Sequence, residues 1–404
     1  MSSMSLRVTL SVGAPLGQLG MGTGGYKLAR SLASRPERLS ALTVFCTGGA
    51  LPEVPQAAVR RVGLSWLGRA LPWTPLRFRP DYTLAICNNA FDLQVARQLP
   101  PGDLFYGYTD QALFSLYVAR RKGYRTVLHA ANTHIAHVHD VLRAEHRKHG
   151  LHVSPVGRWM VWKVQREYAA ADLIRAQSSL VAESLIRAGL PRQKIVLVPP
   201  AVQLDRFWPL PTSGNDHRFR VCFVGAFDLR KGIQYLLQAW DRLHLPDAEL
   251  VLHGGAGSRF MRRLLAPYEH RPDVRFATGD PAPTYATASV CVVPSVEDGF
   301  GYVVLEALAS GTPVIVSDQV GARDAVRPGE NGFIVPAGDP VALAERLEYL
   351  YRQRAALPRM RAAARAVAEM YSYQREGVAL HACFEALLEG RLAPVTASYR
   401  LLQG

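Results

Sequence analysis

Residues Val292–Asp318 read VVPSVEDGFGYVVLEALASGTPVIVSD. A short β-branched run stops at Pro294-Ser295, an acidic, glycine-rich turn follows, and apolar residues at helical spacing resume from Tyr302. Strand, turn and helix in that order form the repeating unit of a parallel α/β sheet. The turn has a chemical consequence as well. The first turn of a helix carries N–H groups with no partner in the helix, and its dipole is positive there, which suits an anion such as a diphosphate. Gly299 and Gly301 let the backbone come close to a ligand. Asp298 and Glu306 stand before the helix and in its second turn, where carboxylates can accept hydrogen bonds from sugar or ribose hydroxyls. Helix capping by the two acids is the plainer alternative, but it leaves the glycine pair without a purpose.

The same alternation extends on both sides. Val221–Gly232, VCFVGAFDLRKG, reads as a strand, a turn at Gly225 and Arg230-Lys231-Gly232 ahead of a helix. Two cations at a helix entrance can neutralise a pyrophosphate and stabilise its departure, Arg as a planar fork and Lys as a point charge. Around these blocks the pattern predicts strands at Arg220–Val224, Glu249–His253, Val274–Phe276, Val290–Val293 and Pro313–Ser317. Helices are expected at Ile233–Leu243, Ser258–Pro267, Thr284–Ala288 and Tyr302–Ser310, with a long one from Pro340 and a final amphipathic one at Tyr371–Glu389. Upstream, strands are expected at Leu6–Val12, Ala41–Cys46, Tyr82–Cys87, Leu104–Tyr106, Thr126–His129, Asp172–Gln177 and Lys194–Val198. Tyr26–Ser34, Ser154–Ala169 and Leu180–Ala188 have helical spacing, and Gly13–Gly25 reads as a glycine-dense loop. The proline-rich passage Pro199–Asp216 interrupts the alternation as a linker would. The fold expected is α/β, with two doubly wound units facing one another across a cleft.

Composition bounds the function. With 404 residues, 49% hydrophobic and 20% charged, the chain can build two ordinary cores. No apolar run reaches the roughly 20 residues of a membrane span, and the N-terminus lacks the pattern of a secretory signal. A cytoplasmic location is expected. None of the five cysteines forms a CxxC pair, so neither zinc nor a disulfide framework is expected. The net charge of +14 is uneven: residues 1–200 hold 25 Lys+Arg and 11 Asp+Glu, whereas residues 201–404 hold 22 of each. A basic first half suggests an anionic partner such as lipid headgroups or a diphosphate-bearing acceptor. Gly63–Arg79 and Arg158–Arg166, each mixing aromatics with arginines, are the stretches suited to a bilayer surface.

The quoted segment resembles the donor-site signature of the retaining GT-B glycosyltransferases of family 4: an acid, Gly-Phe-Gly, and Glu eight positions after that acid. The resemblance implies GT-B architecture, two facing Rossmann-like domains with a C-terminal helix crossing back to the first. The boundaries expected are 1–198 plus 372–390 for the acceptor-side domain, 199–217 for the linker and 218–371 for the donor domain. It implies transfer of a sugar from a nucleoside diphosphate sugar to an acceptor hydroxyl, possibly lipid- or glycan-linked, with retained configuration. By position, Asp298 with Gly299, Phe300 and Gly301 would hold the sugar, Glu306 the ribose, and Arg230 and Lys231 the phosphates. Gly225 and the helix start at Tyr302 and Val303 complete the donor set. The family usually has Glu where Asp298 stands, and Glu297 falls one residue early. His134, in Ala-Asn-Thr-His, resembles a histidine that faces the donor sugar in the family, and Gly24-Gly25 resembles its glycine pair beside acceptor and phosphate. No cofactor or metal ion is implied beyond the nucleotide sugar itself.

Seven histidines fall between His129 and His152, but His134, His137 and His139 lack the spacing of a closed metal site. Other functions stay in view: a catalytically silent nucleotide-sugar-binding protein, a glycosidase using paired carboxylates, or a basic nucleic-acid-binding protein. The glycosidase reading leaves Arg230 and Lys231 without a task. No nucleic-acid motif accompanies the charge, so no nucleic-acid partner is expected.

Overall fold

The computed structural model describes residues 5–18, 20–64, 67, 73–74, 80–152, 154–209 and 218–391. The chain divides into two compact units, Met1–Ala201 with Tyr373–Gly404, and Val202–Ser372.

The first unit is built on seven parallel strands: β1 (Leu6–Pro15), β2 (Leu39–Gly48), β3 (Ala57–Arg61), β4 (Leu104–Tyr108), β5 (Arg125–Ala130), β6 (Leu173–Ala176) and β7 (Ile195–Leu197), in the order β3-β2-β1-β4-β5-β6-β7. Its helices are α1 (Met21–Ala33), α2 (Pro80–Gln98), α3 (Leu113–Arg121), α4 (Ile135–Lys148), α5 (Arg158–Ala170) and α6 (Ser179–Arg187). The strands advance one way from β1 to β3 and the other way from β4 to β7. Right-handed crossovers therefore place α1 on one face of the sheet and α2 to α5 on the other. Buried strands of this kind carry unbroken apolar runs, and every residue of β4, LFYGY, is buried.

The second unit repeats the winding with six parallel strands: β8 (Phe219–Phe227), β9 (Ala248–Ala256), β10 (Val274–Ala277), β11 (Val290–Val293), β12 (Val314–Ser317) and β13 (Gly332–Val335), ordered β10-β9-β8-β11-β12-β13. Its helices are α7 (Ile233–Arg242), α8 (Arg259–Leu265), α9 (Ala282–Thr287), α10 (Tyr302–Ala309), α11 (Pro340–Arg352) and α12 (Leu357–Ala368). Both units thus have the strand order of a Rossmann-type fold.

The last helix, α13 (Tyr373–Leu388), returns to the first unit. Ala379, Leu380, Cys383, Phe384 and Leu387 enter the core formed by β1, β2 and α1. A buried polar knot fixes it. Glu376 accepts from the Arg175 guanidinium of β6, from the Ser31 hydroxyl of α1 and from the Ala201 amide at 3.0 Å. Arg175 also donates to the Tyr106 hydroxyl at 3.2 Å. Gly377 lets the helix seat, because a Cβ there would stand 2.3 Å from the Ser31 carbonyl oxygen.

Two local expectations are corrected. Tyr82–Cys87 is not a strand but the opening of α2. Its buried residues Ala85, Asn88, Phe91, Asp92, Val95 and Ala96 follow a helical period that a six-residue window could not display. The expected loop Gly13–Gly25 ends early, and Gly24 and Gly25 lie inside α1. Gly25 packs closely there: a Cβ on it would meet Val12 Cγ2 at 2.7 Å. Of the passage expected as a linker, Val202–Pro209 packs with the second unit, where the Val202 amide donates to the Tyr371 carbonyl at 2.8 Å. Residues 210–217 lie outside the described residues.

Candidate functional site

In the second unit the strand order reverses between β8 and β11, and open α/β sheets bind ligands beyond the carboxyl ends of strands at such a point. Two loops leave the sheet there, residues 228–232 after β8 and 294–301 after β11. Glycine sets their separation. Gly232 has φ 71° and caps α7, and a Cβ on it would stand 2.0 Å from the Pro294 carbonyl oxygen. The Val296 amide donates to the Arg230 carbonyl at 2.9 Å, locking one loop to the other.

This contact brings the charged side chains together. Arg230 Nε donates to Glu297 Oε2 at 2.9 Å, its other end lies 3.6 Å from Asp298 Oδ1, and Lys231 Nζ donates to Asp298 Oδ2 at 2.5 Å. Glu297 and Asp298 are buried, while about a quarter of each cation's side chain faces solvent. Burial pushes Arg230 down, but Glu297 and then Asp298 outweigh it and hold the guanidinium raised. Burial likewise pushes Asp298 up, and Lys231 and Arg230 outweigh it to hold the carboxyl below its ordinary range. Arg230 and Asp298 are therefore held charged. A residue pair after β12 holds the Asp298 backbone: its amide donates to the Gln319 carbonyl at 3.0 Å, and its carbonyl accepts from the Gly321 amide at 2.9 Å.

Beyond Asp298 the chain turns through Gly299 and Phe300 into α10. The Phe300 ring is buried in the core, so this residue can meet a ligand only through its backbone. Gly301 caps the helix at φ 82°, with Tyr302 and Val303 in the first turn. Glu306, one turn on, accepts from the Tyr285 hydroxyl of α9 at 3.2 Å. Tyr285 is fully buried, and burial, then Glu306, raises its hydroxyl well above its ordinary value, so it stays a donor. Gly225 and Gly254, paired across β8 and β9, keep those strand ends close: a Cβ on Gly254 would meet the Gly225 carbonyl oxygen at 1.9 Å.

Arg230 and Lys231 both contact Asp298, and Glu306 sits on the helix that the same loop enters. Two partners escaped the sequence reading. Glu297 was set aside as one residue early, and its adjacency to Asp298 was the only signal. Tyr285 was expected only as part of the helix Thr284–Ala288, with no partner assigned.

The remaining predicted residues belong to the first unit. His134 caps α4 through Nδ1, which accepts from the Ala136 amide at 3.4 Å, and its ring lies 5.4 Å from that of Tyr168. Burial, then His137, lowers its pKa and keeps the imidazole neutral. Gly24 and Gly25 stand in α1, as described. His139 meets the Val156 carbonyl through Nδ1 at 2.6 Å. Among the described residues no group of His, Cys, Asp and Glu gathers as a metal site would require. A cavity of about 410 Å³ opens between the start of α2 and residues 152–160, lined by Tyr82, His139, His152, Arg158 and Trp159 among others, and it includes none of the predicted site residues. Trp66, Arg69, Arg77, Phe78 and Arg79 of the first bilayer candidate lie outside the described residues. Among those described, no helix is long and apolar enough to cross a membrane.

Two Rossmann-type units, one with paired cations and paired carboxylates at its switch point, define a two-domain α/β protein. The family is more specific. Residues 218–353, within the second unit, match the family described as glycosyl transferases group 1. It is 33% identical to a D-inositol 3-phosphate glycosyltransferase of Xylanimonas cellulosilytica over 52% of this chain and 56% of the relative, so it matches little more than half of that relative's length. It is 29% identical to the Nocardia farcinica protein of that description over 96% of this chain and 93% of the other. The fold is similar to that of sucrose-phosphate synthase from Thermosynechococcus elongatus, with a TM-score of 0.70, 22% identity, and 95% and 99% of the two chains covered. It is also similar to Anabaena HepE in complex with UDP-glucose, with a TM-score of 0.65, 18% identity, and 95% and 100% covered.

Proposed function

We propose that the protein is a retaining glycosyltransferase that moves a sugar from a nucleoside diphosphate sugar to an acceptor hydroxyl. The observation that carries this is the contact of Arg230 and Lys231 with Asp298 at the switch point of the second unit. The family match and the relatives' description as glycosyltransferases support it.

In this reading the incoming diphosphate takes over the hydrogen bonds that Arg230 and Lys231 make to Asp298 and Glu297. As the glycosidic bond breaks, negative charge grows on the leaving phosphate, and cations already in place stabilise it without reorganising. The amides at the start of α10 add the positive end of the helix dipole. Released from Lys231, Asp298 accepts from a sugar hydroxyl, and the amides of Gly299 to Gly301 orient the ring. Glu306 accepts from the ribose, with Tyr285 holding one of its oxygens. No side chain of the set is placed as a covalent nucleophile, so the leaving phosphate takes the acceptor's proton on the face it departs from, which retains configuration. No metal ion has a task, because two side-chain cations carry the charge. The basic first half supports a cytoplasmic enzyme working on a lipid- or glycan-linked acceptor at an anionic membrane, in glycan biosynthesis.

The test is a thermal-shift screen with UDP, GDP, ADP and TDP, followed by turnover of the matching sugars. A ligand that binds only the folded state raises the melting temperature. One nucleotide should stabilise the protein, its sugar should turn over, and Glu306→Ala should lose both effects. Stabilisation without turnover on any acceptor would leave a silent binder, and no stabilisation by any nucleotide would end the proposal.

A further inference from the structure

Two adjacent helices of the first unit carry the same surface pattern. On α3, Phe114, Tyr117 and Arg121 stand at i, i+3 and i+7, and on α5, Trp159, Trp162 and Arg166 repeat that spacing. All six are exposed, the four aromatics between 42% and 49%. Each helix turns its other side inward: Leu113, Leu116 and Ala119 on α3, and Met160, Val164 and Glu167 on α5, are buried. The aromatics of α5 thus face outward beside its exposed Arg166. The two tryptophan rings stack on each other at 4.6 Å and 24°, and the Arg166 guanidinium lies 5.6 Å from the Trp162 centroid. On neighbouring α2, Tyr82 and Leu84 extend the exposed apolar surface.

Among the described side chains, the exposed charge on this layer has one sign. The described exposed ionic side chains of α2, α3 and α5 are Arg97, Arg120, Arg121, Arg158 and Arg166. The described carboxylates of the same helices, Asp92 and Glu167, are fully buried. Aromatic rings at helix surfaces, set among arginines whose stems reach past them, match the depth profile of a bilayer interface, with rings at the headgroup level and guanidinium groups on the phosphates. A second copy of the chain is a poor occupant, since it would set arginines against arginines. Single-stranded nucleic acid is held in grooves that track its backbone, whereas this surface is the outer side of a helical layer.

We propose that the α2–α3–α5 face docks the first unit on an anionic lipid bilayer, with Trp159, Trp162, Phe114 and Tyr117 entering the headgroup region and Arg121 and Arg166 pairing with lipid phosphates. This deepens the membrane part of the function proposed above and assigns it a surface. Co-flotation of the full chain with phosphatidylglycerol–phosphatidylcholine vesicles at low ionic strength tests it, with pure phosphatidylcholine vesicles as control. The protein should float with the anionic vesicles, its tryptophan emission should shift to the blue, and neutral vesicles or added salt should weaken binding about tenfold or more. Both Trp159→Ser/Trp162→Ser and Arg121→Glu/Arg166→Glu should lower the partition coefficient about tenfold or more. These side chains are exposed, so the variants should keep the wild-type melting temperature and nucleotide-induced shift. That readout separates failure here from failure of the donor-site reading. Absence of flotation with anionic vesicles, or wild-type partitioning of both variants, overturns the proposal. So does a dimer in solution that the tryptophan variant dissolves, or a single-stranded oligonucleotide that binds this face in preference to vesicles.

Discussion

Replacing Gly232 with Ala separates backbone strain from the contact that assembles the candidate site. Gly232 has φ 71°, where a side chain costs roughly 1–2 kcal/mol. Its Cβ would also stand 2.0 Å from the Pro294 carbonyl oxygen, a distance that must open to at least 3.0 Å. The 228–232 loop and the exit of β11 must therefore part by about 1 Å, carrying Arg230 and Lys231 away from the position proposed for the leaving diphosphate. A misplacement of that size costs on the order of 100-fold in rate, equivalent to about 2.7 kcal/mol of barrier. Gly150 is the control, because it has the same φ of 71° and nothing within 4 Å of its Cβ. Gly150→Ala should lower stability by the strain alone and leave transfer unchanged. Gly232→Ala should lower it at least as much and reduce kcat/KM for the donor about 100-fold. Urea unfolding and steady-state kinetics on both variants make the comparison. A Gly232→Ala enzyme within about threefold of wild type would refute the claim that loop contact positions the cations.

Three further outcomes are expected. Glu376→Ala leaves the Arg175 guanidinium, buried like its partner, without its carboxylate, and should destabilise the first unit by about 3–5 kcal/mol in urea titration; a loss below about 1 kcal/mol would show that α13 is held by its apolar face alone. His129 is fully buried, and burial, then Arg175, holds its pKa well below 6.5. The unfolded chain therefore binds a proton that the folded one refuses, and stability falls as pH drops below about 6.5, by at most ~1.4 kcal/mol per pH unit. Comparing wild type with His129→Gln from pH 7.5 to 5.5 isolates that slope, and parallel curves would contradict it. Transfer should be unchanged by EDTA, whereas loss of activity restored by a divalent cation would assign the diphosphate charge to a metal.

Much of the second unit was legible because its strands are short, buried and bounded by turns. VCVV and VIVS bury every residue, and sequence windows found β11 and β12 almost to the residue. Arg230, Lys231, Asp298 and Glu306 could be picked out because each sits at a strand end or helix start, where local chemistry has few other uses. The first unit was harder. Tyr82–Cys87 is apolar enough for a strand, and only the residues after it, as far as Gln98, reveal the helical period. Gly22 and Gly25 looked like loop residues, yet they let α1 lie against Pro15 and Val12 of β1.

Local pattern alone determined the alternation of strands and helices, the switch from the first unit to the second, and which side chains carry charge at loop ends. These depend on periodicity and turn chemistry, which neighbouring residues express by themselves. Tertiary structure decided the partners: Glu297 on Arg230, Tyr285 under Glu306, Glu376 on Arg175 across 201 positions, and the aromatic rows of α3 and α5 side by side. Those pairings depend on strand order and helix handedness. Residues far apart in the chain become neighbours only after the sheet has formed, and no window along the sequence contains them both.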